Sequence, residues 1–100
     1  MRTQTDGAVL LVRDIRNLGA TNAALFKEVA QAGLTGAHRV LEVDLTEAEF
    51  VDSEGLGALV ALHKRMCMVH GCVRLLRPRP MVLQLLELTR LDGLFEIVRA

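Results

Sequence analysis

The sequence predicts one small α/β domain in which strands and helices alternate and most strands pair in parallel. One hundred residues with 51% hydrophobic content can form one core and are too few for two. Short apolar runs rich in valine and leucine, typical of buried strands, are separated by longer stretches with helical spacing of apolar residues. This alternation is typical of parallel crossover connections, so we expect a single domain over residues 1–100.

Two strands are predicted in the first half of the chain. Residues 7–13 form a continuous apolar run with β-branched members, which indicates a strand buried on both faces. The residues before this run have room for a brief edge strand. Residues 14–19 are polar and contain Asn17 and Gly19, so they are expected to be a turn. Residues 39–45 repeat the buried pattern and form the second predicted strand.

The first predicted helix starts at Thr21 or Asn22 and ends near residue 32, before Gly33 and Gly36. Its polar face carries lysine, glutamate and glutamine. The residues expected on its inward stripe are Ala24, Leu25, Val29 and Ala32.

The second predicted helix covers residues 54–70 and is closed by Gly71. Its expected inward stripe consists of Leu56, Leu59, Val60 and Cys67. Three more apolar residues, Leu62, Met66 and Val69, lie on a neighbouring face. This surplus favours either a wide core contact or a partner-binding face.

A third helix and two strands complete the pattern. Residues 72–76 form a strand that cannot continue through the two prolines in residues 77–80. Pro80 suits the first turn of a helix over residues 81–89, and residues 93–98 form the last strand. Four residues have the spacing expected for one face of this helix: Val82, Leu85, Leu86 and Thr89.

Residues 50–57, Phe-Val-Asp-Ser-Glu-Gly-Leu-Gly, lie where a loop turns into the second helix. Ser53 is placed to cap that helix, a contribution of roughly 1 kcal/mol. The same hydroxyl is also suited to accept a phosphoryl group, because the start of a helix offers unpaired N–H groups and a positive dipole end. A phosphate there would add about −1.5 to −2 charge beside Asp52 and Glu54 and repel a docked partner. The residues alone leave both roles open.

Gly55 and Gly57 fall in the first turn of the same helix, where each glycine costs up to about 1 kcal/mol relative to alanine. They indicate either a tolerant, frayed helix start or bare backbone that another chain or a nucleotide can approach. The pair is too short for a dinucleotide-binding fingerprint or a P-loop.

Charge and composition argue against several function classes. Lys+Arg and Asp+Glu are both 12, and tryptophan and tyrosine are absent, so neither nucleic acid nor a membrane surface is an expected partner. The N-terminus lacks a signal-peptide pattern and no apolar run approaches a membrane span, so we expect a cytoplasmic protein with reduced cysteines.

Metal binding and catalysis are not expected. His63, Cys67 and His70 share one helix face with Cys72 just beyond, but a structural zinc site normally draws ligands from two elements. We expect Cys67 to pack as a small apolar residue instead. No nucleophile and base are spaced for catalysis, so neither an enzyme nor a cofactor is predicted.

Three segments resemble the STAS domain family in its small stand-alone form, the bacterial anti-sigma factor antagonists. They are Val-Asp-Leu at 43–45, the motif and its continuation at 50–59, and Leu-Glu-Leu-Thr-Arg-Leu-Asp-Gly-Leu-Phe-Glu-Ile at 86–97. The likeness extends over about residues 7–98. It implies a small mixed, largely parallel sheet of four to five strands packed with helices.

The resemblance also implies a regulator of transcription rather than a catalyst. Ser53 occupies the position that is phosphorylated in such antagonists by a partner that is both anti-sigma factor and serine kinase. The unphosphorylated form binds this kinase and releases a sigma factor, the phosphorylated form dissociates, and a serine phosphatase resets it. The docking edge would comprise Asp52, Glu54, Gly55, Leu56 and Gly57, on a monomer or weak dimer.

Two other functions are compatible with the same resemblance. One is a structural or regulatory subunit of a membrane lipid ABC transporter, and the other is a stressosome-like scaffold. Arg90 stands where the family usually has glycine at the end of the third helix. A left-handed residue is expected there, which is unfavourable for arginine by about 1 kcal/mol.

Overall fold

The computed structural model describes residues 1–99, which form a five-stranded sheet, a separate two-stranded sheet and three α-helices. The strands are β1 Arg2–Asp6, β2 Val9–Arg13, β3 Asn17–Leu18, β4 Val40–Asp44, β5 Phe50–Val51, β6 Cys72–Leu76 and β7 Glu96–Val98. The helices are α1 Ala23–Gly33, α2 Ser53–Cys67 and α3 Pro80–Leu88, and a 3-10 turn spans Asp92–Leu94.

The large sheet has the strand order β1-β2-β4-β6-β7. The β1 and β2 strands pair antiparallel around a two-residue connection, and all other neighbours in this sheet pair in parallel. The parallel crossovers between strands run through the helices, as expected for alternating strands and helices. The predicted mixed, largely parallel sheet and the brief edge strand are both confirmed.

Within residues 1–99, helices cover only one face of the large sheet, so the prediction of strands buried on both faces is wrong. Every second residue of β2, β4 and β6 is fully buried, and the residues between them are half-buried. On the covered face, Gly33 of α1 lies against the side chain of Leu10. On the other face, Arg74 forms ion pairs with Glu42 at 2.8 Å and Glu96 at 2.9 Å across three adjacent strands.

The two-stranded sheet was not predicted from the sequence. The β3 strand lies inside the predicted turn of residues 14–19 and pairs in parallel with β5, just before α2. Because Leu18 and Val51 are both buried in this pairing, the small sheet positions the start of α2 against the core.

Two predicted helix stripes are displaced. In α1 the buried residues are Ala23, Phe26 and Ala30, while Leu25 is 54% exposed. In α2 Cys67 is exposed, and Leu62 and Met66 are buried. The supposed surplus on the second helix is therefore core, and Val60 and Val69 pack partly buried at its margin.

The end of α2 is closed by a residue other than the predicted one. The Gly71 N–H donates to the Met66 carbonyl at 2.8 Å, and the His70 N–H donates to the Cys67 carbonyl at 3.1 Å. This is a Schellman motif, and His70 is the left-handed residue in it, with φ of 58°. Gly71 is needed for a different reason, because a Cβ there would lie 2.4 Å from the carbonyl oxygen of Arg39.

The end of α3 repeats this motif. The Leu91 N–H donates to the Leu86 carbonyl at 2.9 Å, and the Arg90 N–H donates to the Glu87 carbonyl at 3.1 Å. Arg90 has φ of 60°, which confirms the left-handed conformation expected at this position.

Candidate functional site

Ser53 is the first residue of α2 and is exposed. The prediction that it caps the helix is wrong, because Asp52 is the N-cap. Asp52 has an extended backbone, with φ −103° and ψ −173°. Its Oδ1 accepts hydrogen bonds from the N–H groups of Glu54 at 2.9 Å and Gly55 at 3.1 Å. Asp52 thus satisfies two orphan N–H groups of the helix, and Ser53 is left outside the cap.

The second carboxylate oxygen of Asp52 holds the loop before α1. Its Oδ2 accepts a hydrogen bond from the Ala20 N–H at 3.0 Å. A Cβ on Gly19 would lie 2.5 Å from this oxygen, so the loop can approach the carboxylate only with glycine there. The backbone hydrogen bonds from Gly55 and then Ala20 lower the pKa of Asp52, against an opposing contribution from desolvation. The cap is consequently anionic at neutral pH.

Gly55 and Gly57 have different roles. Gly55 is buried, and a Cβ there would lie 2.1 Å from the carbonyl oxygen of Leu18. The small sheet and α2 therefore meet at a backbone-to-backbone contact that excludes any larger residue. Gly57 is exposed, and a Cβ there would have nothing within 4 Å. The backbone at Gly57 is open to another chain, which was one of the two explanations offered for the glycine pair. Gly55 has a different explanation, close packing within the chain itself.

A shallow groove of about 270 Å³ lies between the first turns of α1 and α2. Small residues form most of its walls, and one lysine and one glutamate stand at its sides. The lining residues are Ala23, Ala24, Lys27, Glu54, Gly57 and Ala58. Of the predicted docking residues, Glu54 and Gly57 are exposed here, Asp52 is half-buried, and Gly55 and Leu56 lie beneath the surface.

An apolar groove of about 240 Å³ on β5 and α3 was missed in the sequence. Three large apolar side chains on it are strongly exposed: Phe50 at 47%, Met81 at 72% and Leu88 at 75%. Phe50 lies only three residues before Ser53, so the groove adjoins the start of α2. Apolar residues on a short helix resemble core positions in a sequence, and only their exposure distinguishes them.

The cysteine and histidine constellation does not assemble into a cluster. Cys67 is exposed, with its Sγ 3.5 Å from His63 Nε2, and His63 meets the ring of Phe95 edge-on at a centroid distance of 5.9 Å. Cys72 lies on β6, where its Sγ is 3.7 Å from Glu96 Oε2. Within residues 1–99 no three histidine, cysteine, aspartate or glutamate side chains are grouped to hold a metal ion.

The chain belongs to the STAS domain family, whose model matches residues 1–100. Among solved structures, a candidate anti-sigma factor antagonist from Thermotoga maritima is 27% identical, with a TM-score of 0.89. The alignment covers 99% of this chain and 86% of that one. None of the curated proteins has a significantly similar sequence.

Two further structures share the fold. An anti-sigma factor antagonist from Mycobacterium paratuberculosis is 21% identical with a TM-score of 0.84, covering 99% of this chain and 84% of that one. The Bacillus cell fate determinant SpoIIAA in its phosphorylated form is 16% identical with a TM-score of 0.75, covering 97% and 89%. Within residues 1–99, none of the helices has the length and apolar character needed to cross a bilayer.

Proposed function

We propose that this protein is an anti-sigma factor antagonist whose partner binding is switched by phosphorylation of Ser53. One observation carries the proposal: Asp52, and not Ser53, makes the capping hydrogen bonds of α2, and Ser53 is exposed beside it. A kinase can reach the Ser53 hydroxyl, and its modification leaves the cap of α2 in place.

The electrostatics of this helix start suit a switch that acts without unfolding. A phosphoryl group on Ser53 brings about −1.5 to −2 charge at neutral pH. The N-terminal end of α2 tolerates the added anion through its dipole. Because the pKa of Asp52 is lowered, its carboxylate is already ionised, and Glu54 is exposed next to Ser53. The modified surface is strongly negative and repels a partner that fits the unmodified one.

The proposed partner surface is centred on Ser53. It includes Asp52, Glu54 and Gly57, while Gly55 and Leu56 support it from below. The open backbone of Gly57 lets a partner backbone approach the groove beside α1 closely. The exposed apolar side chains around Phe50 offer an adjoining anchor.

The proposed partner is a protein that is both anti-sigma factor and serine kinase. Unphosphorylated antagonist binds it and frees the sigma factor, phosphorylated antagonist dissociates, and a serine phosphatase restores the first state. In this cycle Ser53 is a substrate side chain, and the antagonist is a cytoplasmic binding protein that catalyses no reaction.

The proposal is tested by affinity capture from extracts of the source cells, with three baits: wild type, Ser53→Asp and Gln31→Asp. Gln31 is exposed on α1, so Gln31→Asp adds the same charge away from the start of α2. Bound proteins are identified by mass spectrometry. We expect a serine kinase of the anti-sigma type with wild type and Gln31→Asp, and its loss with Ser53→Asp.

The captured kinase is then purified and incubated with ATP and with wild type, Gln31→Asp or Ser53→Ala. Ser53 is the only serine in the sequence, so a phosphoserine in the product is located without peptide mapping. Ser53→Ala is expected to bind the kinase and remain unlabelled. Equal capture of transporter subunits by all three baits would instead support the transporter-subunit function and overturn the switch.

A further inference from the structure

The edge strand β1 has features of a self-complementary dimer interface. It lies at one end of the five-stranded sheet, and within residues 1–99 it pairs with β2 alone. All five of its residues are exposed. An edge strand of this kind presents unpaired N–H and C=O groups to which another strand can add.

The hairpin geometry determines which backbone groups of β1 face outward. Asp6 pairs with Val9 across the Gly7-Ala8 connection, and Gly7 has the positive φ of 59° that such a turn uses. The pair that closes a two-residue loop exchanges backbone hydrogen bonds, and these pairs alternate along an antiparallel ladder. Arg2, Gln4 and Asp6 therefore direct their backbone groups toward β2, and those of Thr3 and Thr5 point outward.

We propose that two copies of this chain associate through antiparallel pairing of β1 with β1, about a two-fold axis at Gln4. In this register Thr3 of each copy faces Thr5 of the other, and the outward N–H and C=O groups of each such pair can bond to one another. Arg2 of each copy then faces Asp6 of the other. The strand is thus complementary to itself in both hydrogen bonding and charge.

The charged pairs fall where side chains approach most closely. Arg2 and Asp6 occupy non-hydrogen-bonded positions of the new ladder, where facing Cβ atoms lie about 4.5–5.5 Å apart. Both side chains are on the open face of the sheet, because the alternate residues Thr3 and Thr5 sit opposite the buried Val12 and Leu10. Arg2 already contacts Asp14 at 3.2 Å, so in the dimer it lies between two carboxylates.

The interface is small, and this sets the expected strength of association. A contact of one five-residue strand per copy is well below the size of stable dimer interfaces. We expect dissociation constants of about 0.1–1 mM, so the dimer forms at high local concentration. The strand order separates β1 from β6, against which the helix that begins at Ser53 packs. We therefore expect the association not to depend on Ser53.

Sedimentation equilibrium of the full chain up to about 1 mM tests the proposal. For wild type we expect the weight-average mass to rise with concentration from 11.0 kDa toward twice that value. Arg2→Glu and Asp6→Lys each create two like-charged pairs and should weaken association about tenfold. The double variant restores both pairs with reversed polarity and should return to within about twofold of wild type.

Two further variants separate the interface from folding. Thr3→Pro removes an outward N–H that is not bonded to β2, so it should abolish dimerisation and leave the circular dichroism spectrum unchanged. Ser53→Asp should associate as wild type does.

Hydrogen exchange provides a second measurement. Exchange of the Thr3 and Thr5 amides should slow as the protein concentration is raised, while that of the Gln4 amide stays constant. A wild-type mass of 11.0 kDa at every concentration, or no rescue in the double variant, would overturn the proposal.

Discussion

Asp52 and Ala20 are 32 residues apart in the chain, and Asp52 Oδ2 accepts the Ala20 N–H at 3.0 Å. The other oxygen of the same carboxylate caps α2. One side chain therefore orients the start of α2 and fixes the loop that enters α1. The Asp52 carboxylate therefore holds in place both helix starts that line the proposed partner groove.

The Asp52 carboxylate predicts a specific acid sensitivity. Its pKa is lowered from 3.8 in the folded protein, chiefly by the hydrogen bond from the Gly55 N–H. A lowered folded-state pKa gives a stabilisation that is present above the unfolded pKa and is lost as pH falls through the folded one. We expect Asp52→Asn to be less stable than wild type at neutral pH, with the difference shrinking below about pH 3.8.

Urea unfolding of both proteins between about pH 7 and pH 2.5 measures this difference. Glu54→Gln is the matched control, because it removes a neighbouring exposed charge and leaves the cap intact. Parallel stability curves for wild type and Asp52→Asn would contradict the assignment.

The two glycines of α2 should respond to alanine with opposite signs. Gly55→Ala forces a Cβ against the Leu18 carbonyl and should lower the free energy of unfolding by about 1–3 kcal/mol. Gly57→Ala meets nothing within 4 Å and should raise it by up to about 1 kcal/mol. Thermal and urea unfolding of both variants provide the test. Equal stabilisation by the two changes would show that helix propensity, not the Leu18 contact, decides the effect.

Gly57→Ala also separates stability from recognition. If a partner backbone uses the open surface at Gly57, the more stable variant should bind the captured kinase more weakly. Isothermal titration of wild type and Gly57→Ala measures this, and unchanged affinity would exclude Gly57 from the contact surface.

Replacement of Arg90 by glycine should stabilise the protein. Arg90 has a left-handed backbone, with φ of 60°, where glycine is favoured by about 1 kcal/mol. Arg90→Gly should raise the free energy of unfolding by about that amount. The neighbouring Thr89 has φ of −88° and donates a hydrogen bond to the Leu85 carbonyl, so Thr89→Gly should be destabilising. Destabilisation by both glycines, measured in urea, would contradict the backbone argument.

The two ion pairs of Arg74 on the open face of the sheet should contribute measurable coupling energies to stability. Arg74 donates to Glu42 at 2.8 Å and both side chains are half-buried, whereas Glu96 on its other side is 52% exposed. A double-mutant cycle of Arg74→Met and Glu42→Gln should give a coupling energy of about 1 kcal/mol. The same cycle with Glu96→Gln should give less and should decrease more in high salt. Equal couplings would contradict this ranking.

Local sequence patterns were sufficient for most elements of the fold. The strands β2, β4 and β6 and all three helices follow from apolar runs, helical spacing and the positions of glycine and proline. Their order indicated a largely parallel sheet, because such connections need helices between strands. The resemblance in residues 50–59 correctly identified the STAS family, since this motif is itself a local feature.

Helix orientation was less predictable where apolar residues are contiguous. In α1 the run Ala23 to Phe26 is apolar at four successive positions, so its periodicity does not specify which of them faces inward. Packing against the sheet selects Phe26 and leaves Leu25 exposed. The same limitation applied to α2, where Cys67 was expected inside and Met66 is buried instead.

The segment around Ser53 could be located from sequence, but its hydrogen bonds could not. Asp52 and Ser53 are both good N-cap residues, and a local pattern does not distinguish them. Pairing of β3 with β5 sets where the chain turns into α2, and the Ala20 N–H arrives from a distant loop to complete the Asp52 site. Residue types and their short-range order were therefore sufficient for the family, most of the helices and strands, and the position of the serine motif. Long-range packing decided which residue caps the helix, which glycine is required and which sheet face is open, because each depends on atoms far apart in the chain.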